Sequence, residues 1–411
     1  MLVVRLFLLK LRRKLRKNHQ LYRVLGWFYG LPWNVPMLLA RLLRGYDDNM
    51  VVFSSFDCRS YNDNTRYVSE KLHELRPETD IVWLFADVEA ARKQYAIPAY
   101  VRCLRAKSIA GKSALARARV VVDNFNKKFY LHFPAKGQYY IQTWHGDRGF
   151  KKCGFDNPSI NFRMLEEHCA LGIVGSDFGE RLFHSAFHCR GELMKVGCPR
   201  NDILIRNDPA ERDAIRAKLG LDEGTRVLLY APTYRDSEMR GLRAHRVPLD
   251  LEHVLDTLEA HTGAAWKCLT RTHYYSGRIA AGDASERIIP ATDYPEMAEL
   301  LLITDALLSD YSSCAGDYAL THRPIYLYQE DTAGYIAETR DFYFDMEDPH
   351  YWIASTPQEL DALIEQTTPE RVRENCDAIL GYYGAAETGH ATEAVAESII
   401  SRLRPAERTG A

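Results

Sequence analysis

Several signatures that would settle the chemistry of a 411-residue chain are missing. There is no glycine-rich GxGxxG turn and no GxxxxGK[ST] loop, which argues against a nicotinamide enzyme or a P-loop NTPase. The nine cysteines include no CxxC pair or other zinc spacing. An odd number of scattered thiols, with no secretory leader recognisable, is expected of unpaired and mostly buried side chains in a reducing cytoplasm. No run approaches the about 20 apolar residues needed to cross a bilayer. The net charge is −2, so no global basic excess announces a nucleic-acid partner, and none is expected. No carboxylate cluster suited to a divalent metal is evident, so no cofactor is expected to be obligatory; Asp310 or Asp317 leaves dependence on Mg²⁺ open.

The most local absence concerns acids. Residues 1–46 carry ten Lys or Arg and no Asp or Glu, leaving 43 basic against 55 acidic side chains in the rest. Among those cations stand leucines, Trp27, Phe28, Tyr29 and Trp33. That mixture is expected of helices lying on an anionic membrane surface. The plainer alternative is a helix docked on the body with its cations solvated. The aromatics favour the surface reading.

From residue 50 onward, short β-rich runs alternate with helical spacing. MVVFSSF (50–56), DIVWLFA (80–86), RVVVDN (119–124), QYYIQTW (138–144) and ALGIVGS (170–176) read as one strand series. RVLLYAPTY (226–234), WKCLTRTH (266–273), RIIPA (287–291), DALLSD (305–310) and PIYLYQ (324–329) read as a second. The segment 64–75 reads as a helix, and so does 295–303, with Asp293 near its cap and Pro295 in its first turn. Nearly continuous apolar strands separated by helices predict parallel sheets buried on both faces. The fold class expected is α/β, two Rossmann-like domains facing across a cleft. The expected divisions are a basic amphipathic segment (1–48), a first domain (49–205), a second domain (206–385) and a C-terminal helix (386–411).

In such sheets ligands gather beyond the carboxyl ends of the strands. Four ends carry chemistry. QTWHGDRGFKKCGFD (142–156) sets His145 and Gly146 before Arg148, Lys151 and Lys152, an anion-facing loop with an imidazole able to move a proton. The bland reading is a solvated loop. YAPTYRD (230–236) ends a strand at Pro232 and presents Arg235. RTHYY (271–275) places Arg271 and His273 on one strand face. LSDYSSCAGDYAL (308–320) runs a strand into Ser312 and Ser313 at a helix start, where free N–H groups and hydroxyls suit phosphate oxygens. Simple N-capping would use the same residues. Any single one of the 14 histidines is more often structural than catalytic; His145 and His273 stand apart because each is beside cations at a strand end, which favours a neutral ring. Cys58, Cys153 and Cys314 lie near these motifs, but none has an activating partner in sequence, so packing is the expected role.

Taken together and in order, QTWHGDRGFKKCGFD, VGCPRNDIL (196–204), YAPTYRD, RTH and SDYSSCAGDYALTHRPIYLY resemble the CDP-glycerol glycerophosphotransferase family of teichoic-acid and capsule polymer enzymes. FSSFDCRSYNDNTRYVSEKL (53–72) resembles the family's opening segment. The resemblance covers roughly residues 50–345. It implies a glycosyltransferase-B-like fold attached peripherally to the cytoplasmic face of the cell membrane. It further implies transfer of a polyol phosphate from CDP-glycerol, or a related CDP-polyol donor, to a hydroxyl of a lipid-linked or polymer acceptor, with CMP released. Carried over, His145 and His273 match the family's two required histidines. Ser312, Ser313 and Asp317 match residues around the donor phosphates, and Arg235 matches the arginine after YAPT. Pro199, Arg200, Asn201 and Asp202 match a turn between the domains. On that reading His145 is the general base, His273 and Arg271 hold the pyrophosphate, and the two histidines could exchange roles. Arg148, Lys151 and Lys152 would stand on the acceptor or phosphate side. Three departures occur: Cys58 where the family usually has glycine, Ala315-Gly316 in place of bulkier apolar residues, and His350-Tyr351-Trp352 in place of a Gly-Pro step. Ribitol phosphate from CDP-ribitol, or a sugar from a nucleotide sugar, is the alternative cargo. A membrane-bound scaffold without turnover is the alternative of another class.

Overall fold

The computed structural model describes residues 35, 37–125, 136–157, 169–233, 249–271, 285–338, 341–345 and 348–404. The basic segment before residue 35, Arg235 and His273 lie outside these residues, so the expectations placed on them are not addressed structurally.

Two sheets form, each entirely parallel. The first contains β1 (Asp47–Ser54), β2 (Asp80–Phe85), β3 (Arg102–Arg105), β4 (Ala118–Asp123), β5 (Tyr139–Gln142), β6 (Leu171–Val174) and β7 (Glu192–Lys195). Its spatial order is β3-β2-β1-β4-β5-β6-β7. The second contains β8 (Arg226–Ala231), β9 (Trp266–Thr270), β10 (Ile288–Pro290), β11 (Ala306–Ser309), β12 (Ile325–Tyr328) and β13 (Trp352–Ala354), in the order β10-β9-β8-β11-β12-β13. Both orders reverse direction once, between β1 and β4 and between β8 and β11. A doubly wound sheet opens its ligand crevice at such a reversal.

The central strands are buried along nearly their whole length. Val51, Val52 and Phe53 of β1 and Val120, Val121 and Val122 of β4 are inaccessible, as the continuous apolar runs require when helices cover both faces. The expected strands all occur. Three short strands were not anticipated: β3, β7 and β13. Each lies at a sheet edge and is only three or four residues long; in β3 and β7 charged residues also break the apolar run.

The helix expected over 295–303 begins later, at Met297–Ile303. Glu296, not Asp293, takes the capping position, its carboxylate accepting from Ala298 N; Pro295 precedes the helix, and its carbonyl accepts from Asn62 Nδ2 at 3.0 Å. The last helix among the described residues, Ala391–Ile400, leaves the second sheet and packs on Asp63–Leu75. Val395, Ala396 and Ile399 thereby complete the apolar core on one face of the first sheet. The two halves are thus joined twice, by the turn at 199–202 and by this returning helix.

Candidate active site

His145 follows β5 in a segment whose backbone is held on every side. Trp144 has φ +50°, a left-handed conformation that is costly for a bulky side chain. Its N–H donates to Gln142 Oε1 at 2.9 Å, and its carbonyl accepts from Asn64 Nδ2 at 2.9 Å. Across from it, the turn after β1 places Phe56, Asp57 and Cys58 at φ +43°, +59° and +65°. Cys58 therefore stands in a conformation that glycine adopts without steric cost, at the position where the resemblance implies glycine. His350, another departure from glycine, also has a left-handed φ of +65°.

The imidazole of His145 is half-buried among aromatic rings. Phe56 meets it edge-on with centroids 5.1 Å apart, Phe125 lies over it at 5.3 Å, and Trp144 is at 4.2 Å. Nδ1 lies 2.7 Å from the carbonyl oxygen of Asn124. A carbonyl can only accept, so Nδ1 carries the hydrogen, and the neutral ring has its lone pair on Nε2.

The opposite strand end approaches this loop closely. A Cβ built on Gly146 would lie 4.0 Å from Ser313 Oγ and 3.5 Å from the Trp144 indole nitrogen. His145 from the first sheet and the Ser312-Ser313 pair from the second are thus brought to one seam. The helix after the serines is shorter than its sequence implies, Cys314–Tyr318 followed by a single 3₁₀ turn, Ala319–Thr321. The Ser312 and Ser313 hydroxyls, more than a long helix dipole, define that end. Asp310 accepts from Thr233 N at 2.8 Å, from Thr233 Oγ1 at 3.0 Å and from Tyr311 N at 2.5 Å. Burial raises its carboxyl, against the pull of Lys151. Arg271, at the end of β9, donates to the Tyr294 carbonyl at 2.5 Å, and burial lowers its guanidinium.

The three cations of the opening motif separate. Lys151 lies 5.1 Å over the Tyr335 ring and faces Asp310. Lys152 pairs with Asp341 at 2.5 Å near the surface. Arg148, expected beside the substrate, is instead completely buried. Its Nη2 donates to Asp317 Oδ1 and to Glu387 Oε1, both at 2.7 Å. Asp317, expected at the donor phosphates, has both oxygens engaged: Arg200 Nη2 reaches Oδ2 at 2.8 Å and Asn201 Nδ2 reaches Oδ1 at 3.1 Å. Burial alone would raise this carboxyl, but Arg200 and Arg148 together carry it down to about 2. Arg200 also reaches Asp63 Oδ2 at 3.2 Å. Glu387 accepts from Cys198 N at 2.8 Å, and Asp202 accepts from Ala391 N and Thr392 N at 3.0 and 2.7 Å. The turn 199–202 is therefore the hub of a buried ionic junction between the halves. Gly316 is required there: a Cβ would meet Arg148 Cβ at 2.7 Å, which accounts for the small residue in this helix.

Cys314 is buried and pushed up to about 11, and it neighbours no base, which leaves it a packing residue. Among the described residues no group of three or more His, Cys, Asp or Glu is placed to hold a metal ion. Sequence reasoning passed over Asp63, Asn124, Glu296 and Glu387. Asn124 had a faint signal, a polar Asp-Asn pair ending the apolar run of β4.

Comparison with known proteins bears on the family and the fold. The family described as CDP-Glycerol:Poly(glycerophosphate) glycerophosphotransferase matches residues 37–401. A teichoic acid poly(glycerol phosphate) polymerase of Staphylococcus epidermidis is 28% identical over 377 residues, 86% of this chain and 51% of that protein. A teichoic acid glycerol-phosphate transferase of Staphylococcus aureus is 28% identical over 375 residues, 86% of this chain and 93% of that one. A teichoic acid ribitol-phosphate primase of Bacillus spizizenii is 25% identical, over 89% of this chain and 94% of its own. The chain thus spans about half of the polymerase and nearly all of the other two. Among solved structures, the wall teichoic acid polymerase TagF, as a histidine variant soaked with CDPG, superimposes with a TM-score of 0.78 at 24% identity, covering 93% of this chain and 98% of that one. That likeness identifies the α/β fold with parallel sheets. On a match that spans most of its length, the chain belongs to the CDP-glycerol:poly(glycerophosphate) glycerophosphotransferase family.

Proposed function

We propose that the protein transfers glycerol phosphate from CDP-glycerol to a hydroxyl of a membrane-linked acceptor or a growing teichoic-acid-like or capsule-like polymer. The observation that supports this reading is His145, its Nδ1 held on the Asn124 carbonyl, next in the chain to Gly146, where a Cβ would lie 4.0 Å from Ser313 Oγ across the seam. The acceptor oxygen attacks the phosphorus that bears glycerol, a new P–O bond forms, and the bond to the bridging oxygen breaks. CMP leaves with that electron pair, and the hydroxyl proton passes to His145 Nε2. The developing charge on the equatorial oxygens needs donors and cations. Ser312 and Ser313 supply hydroxyls, and Lys151 and Arg271 supply charge. The family resemblance adds His273 and Arg235 on the donor side. Arg148 and Asp317 serve the site through the junction, since each is enclosed by its ion partners.

The surface helix over 37–44 supports peripheral attachment. Leu38, Leu39, Leu42 and Leu43 are exposed, the last by 80%, while Met37 faces the core. That apolar face follows the basic segment in sequence and fits the interface of an anionic membrane. No described helix is long and apolar enough to cross one.

The test is a donor panel of CDP-glycerol, CDP-ribitol and UDP-sugars with a lipid-linked glycerol-phosphate acceptor, scored by CMP or UDP release. CMP from CDP-glycerol upholds the reading. The ribitol-phosphate relative makes turnover of CDP-ribitol alone the second outcome, which would replace the cargo and keep the chemistry. Donor binding without product would leave a scaffold.

A further inference from the structure

We propose that Asn124 is a positioning residue for His145: its main-chain carbonyl selects the imidazole tautomer, and its carboxamide fixes where that carbonyl stands. The inference rests on reading His145 as the base, and it assigns a role to a residue that belongs to none of the recognised motifs.

Asn124 follows β4 and is fully buried. Its carbonyl takes the His145 Nδ1 hydrogen at 2.7 Å. Its side chain makes three further bonds: Oδ1 accepts from Phe56 N at 2.8 Å, and Nδ2 donates to Ser55 Oγ at 3.1 Å and to Asp63 Oδ1 at 2.9 Å. The chemistry of the neighbours forces this orientation. A backbone N–H can only donate, so it must face the oxygen; a carboxylate accepts, so it must face the nitrogen. Only a carboxamide of this length satisfies both. Aspartate would set a second carboxylate against Asp63, and alanine would leave the Phe56 N–H and the Asp63 oxygen without this partner.

The same clamp shapes the aromatic wall. Phe56, held by Asn124 Oδ1, is the ring that meets His145 edge-on. One buried side chain therefore sets both the hydrogen on Nδ1 and the enclosure of the ring. The clamp also reaches the donor side, because Asp63 is held by Arg200, and Arg200 holds Asp317 in the helix that follows Ser312 and Ser313. The imidazole and the serine pair are indexed to one another through buried polar contacts. An imidazole in free solution favours the other tautomer, with hydrogen on Nε2, and in that form it cannot take the acceptor's proton there. Partners that orient metal-ligating histidines cost about 10- to 100-fold when removed, and a loss of the same order is expected here.

The experiment uses the full chain labelled with ¹⁵N-histidine, the His145 signals being identified by difference against His145→Gln. Two-bond nitrogen–proton correlations distinguish the tautomers. In the wild type, neutral His145 is expected with hydrogen on Nδ1. In Asn124→Ala the Nε2–H form should grow, and kcat should fall about 10- to 100-fold with the KM for CDP-glycerol held within about twofold. Asn124→Asp should resemble Asn124→Ala, because shape is kept and the donor is lost. Finding Nε2–H in the wild type overturns the proposal, and it does so without any variant having to fold. So does a folded Asn124→Ala with unchanged tautomer and kcat. If Asn124→Ala does not fold, Ser55→Ala, which removes one of the three side-chain bonds, should still raise the Nε2–H fraction; no change there counts against the clamp. Turnover by His145→Gln at the wild-type rate would instead remove the base reading and leave the tautomer result standing.

Discussion

His145 and Arg148 stand three residues apart in one loop, and the structure treats them oppositely. His145 is half-buried, walled by Phe56, Phe125 and Trp144, and reached through strained backbone at Trp144 and at the turn 56–58. Arg148 is wholly enclosed, with Asp317 and Glu387 each 2.7 Å from one of its nitrogens. On the proposed reading of His145 as the base, the difference is a division of labour within a single motif. An imidazole that is to take a proton needs a fixed direction. The cation beside it ties that loop to the second sheet and to the returning helix, so that the direction survives thermal motion. Strain is tolerable at Trp144 because the same loop is over-determined at Arg148.

Changing each end should therefore fail in its own way. His145→Gln keeps the shape and removes the base, so kcat should fall about 10²- to 10⁴-fold, the usual contribution of a positioned acid–base group. Its thermal midpoint should stay within about 2 °C of the wild type, no more than the shift of about 2–4 °C that 1 kcal/mol produces in a domain of 150–250 residues. A large loss of stability would break the comparison. Arg148→Met is the converse. It leaves the carboxylates of Asp317 and Glu387 buried with one partner fewer, and removal of one member of such a set costs about 3–5 kcal/mol. Chemical denaturation should register that cost, and activity should fall only as the folded fraction falls. A stable Arg148→Met with a raised donor KM would return Arg148 to the substrate side.

How much of this was legible depends on the range of the interaction. The central strands could be read because burial on both faces writes itself as consecutive apolar residues, as in Val120–Val122. Edge strands such as β3, RCLR, carry no such run, since one side meets water. His145 was visible because histidine, glycine and cations cluster within a few residues. The same cluster misled for Arg148, since local sequence gives the presence of a charge but not its partner, and Glu387 is 239 residues away. Asp63, Asn124 and Glu296 are single polar residues at element ends, each completed by partners that only the tertiary structure supplies. The left-handed residues 56–58 and 144 leave no glycine to mark them.

Glu296 sharpens the contrast between well-paired and poorly paired buried charge. It is nearly inaccessible, it accepts from Asp63 N at 2.9 Å, and its nearest cation nitrogen, Arg66 Nη1, is 3.8 Å away. Burial raises its carboxyl to about 7, against the opposing pull of Arg66. The folded state thus binds this proton more tightly than the unfolded one. The group's contribution to stability is greatest at low pH, declines as pH rises from about 4.5 to about 7, and is level above that. Glu296→Gln should remove the decline. Its stability relative to the wild type should grow by about 1–3 kcal/mol between pH 5 and pH 8, followed by urea unfolding at each pH. A constant difference would mean that Glu296 is ionised throughout and better paired than its geometry indicates. Asp317, held near 2 by two guanidiniums, should contribute no such slope over the same range.

The smallest effects test strain itself. Cys58 and His350 share a left-handed φ of +65°, but Cys58 is buried beside the His145 wall, whereas His350 is exposed. Glycine relieves the steric cost of that conformation, about 1–2 kcal/mol, and adds back about 0.5–1 kcal/mol of chain entropy to the unfolded state. His350→Gly should therefore stabilise the protein by about 0.5–1 kcal/mol with unchanged turnover. At Cys58 the same relief is opposed by loss of a buried side chain, so Cys58→Gly should come out near zero. Equal gains at both positions would mean that Cys58 contributes little packing. A loss at His350 would show that its side chain makes an interaction worth more than the strain, and the asymmetry between functional and incidental strain would then have to be drawn from the turn at 56–58 alone.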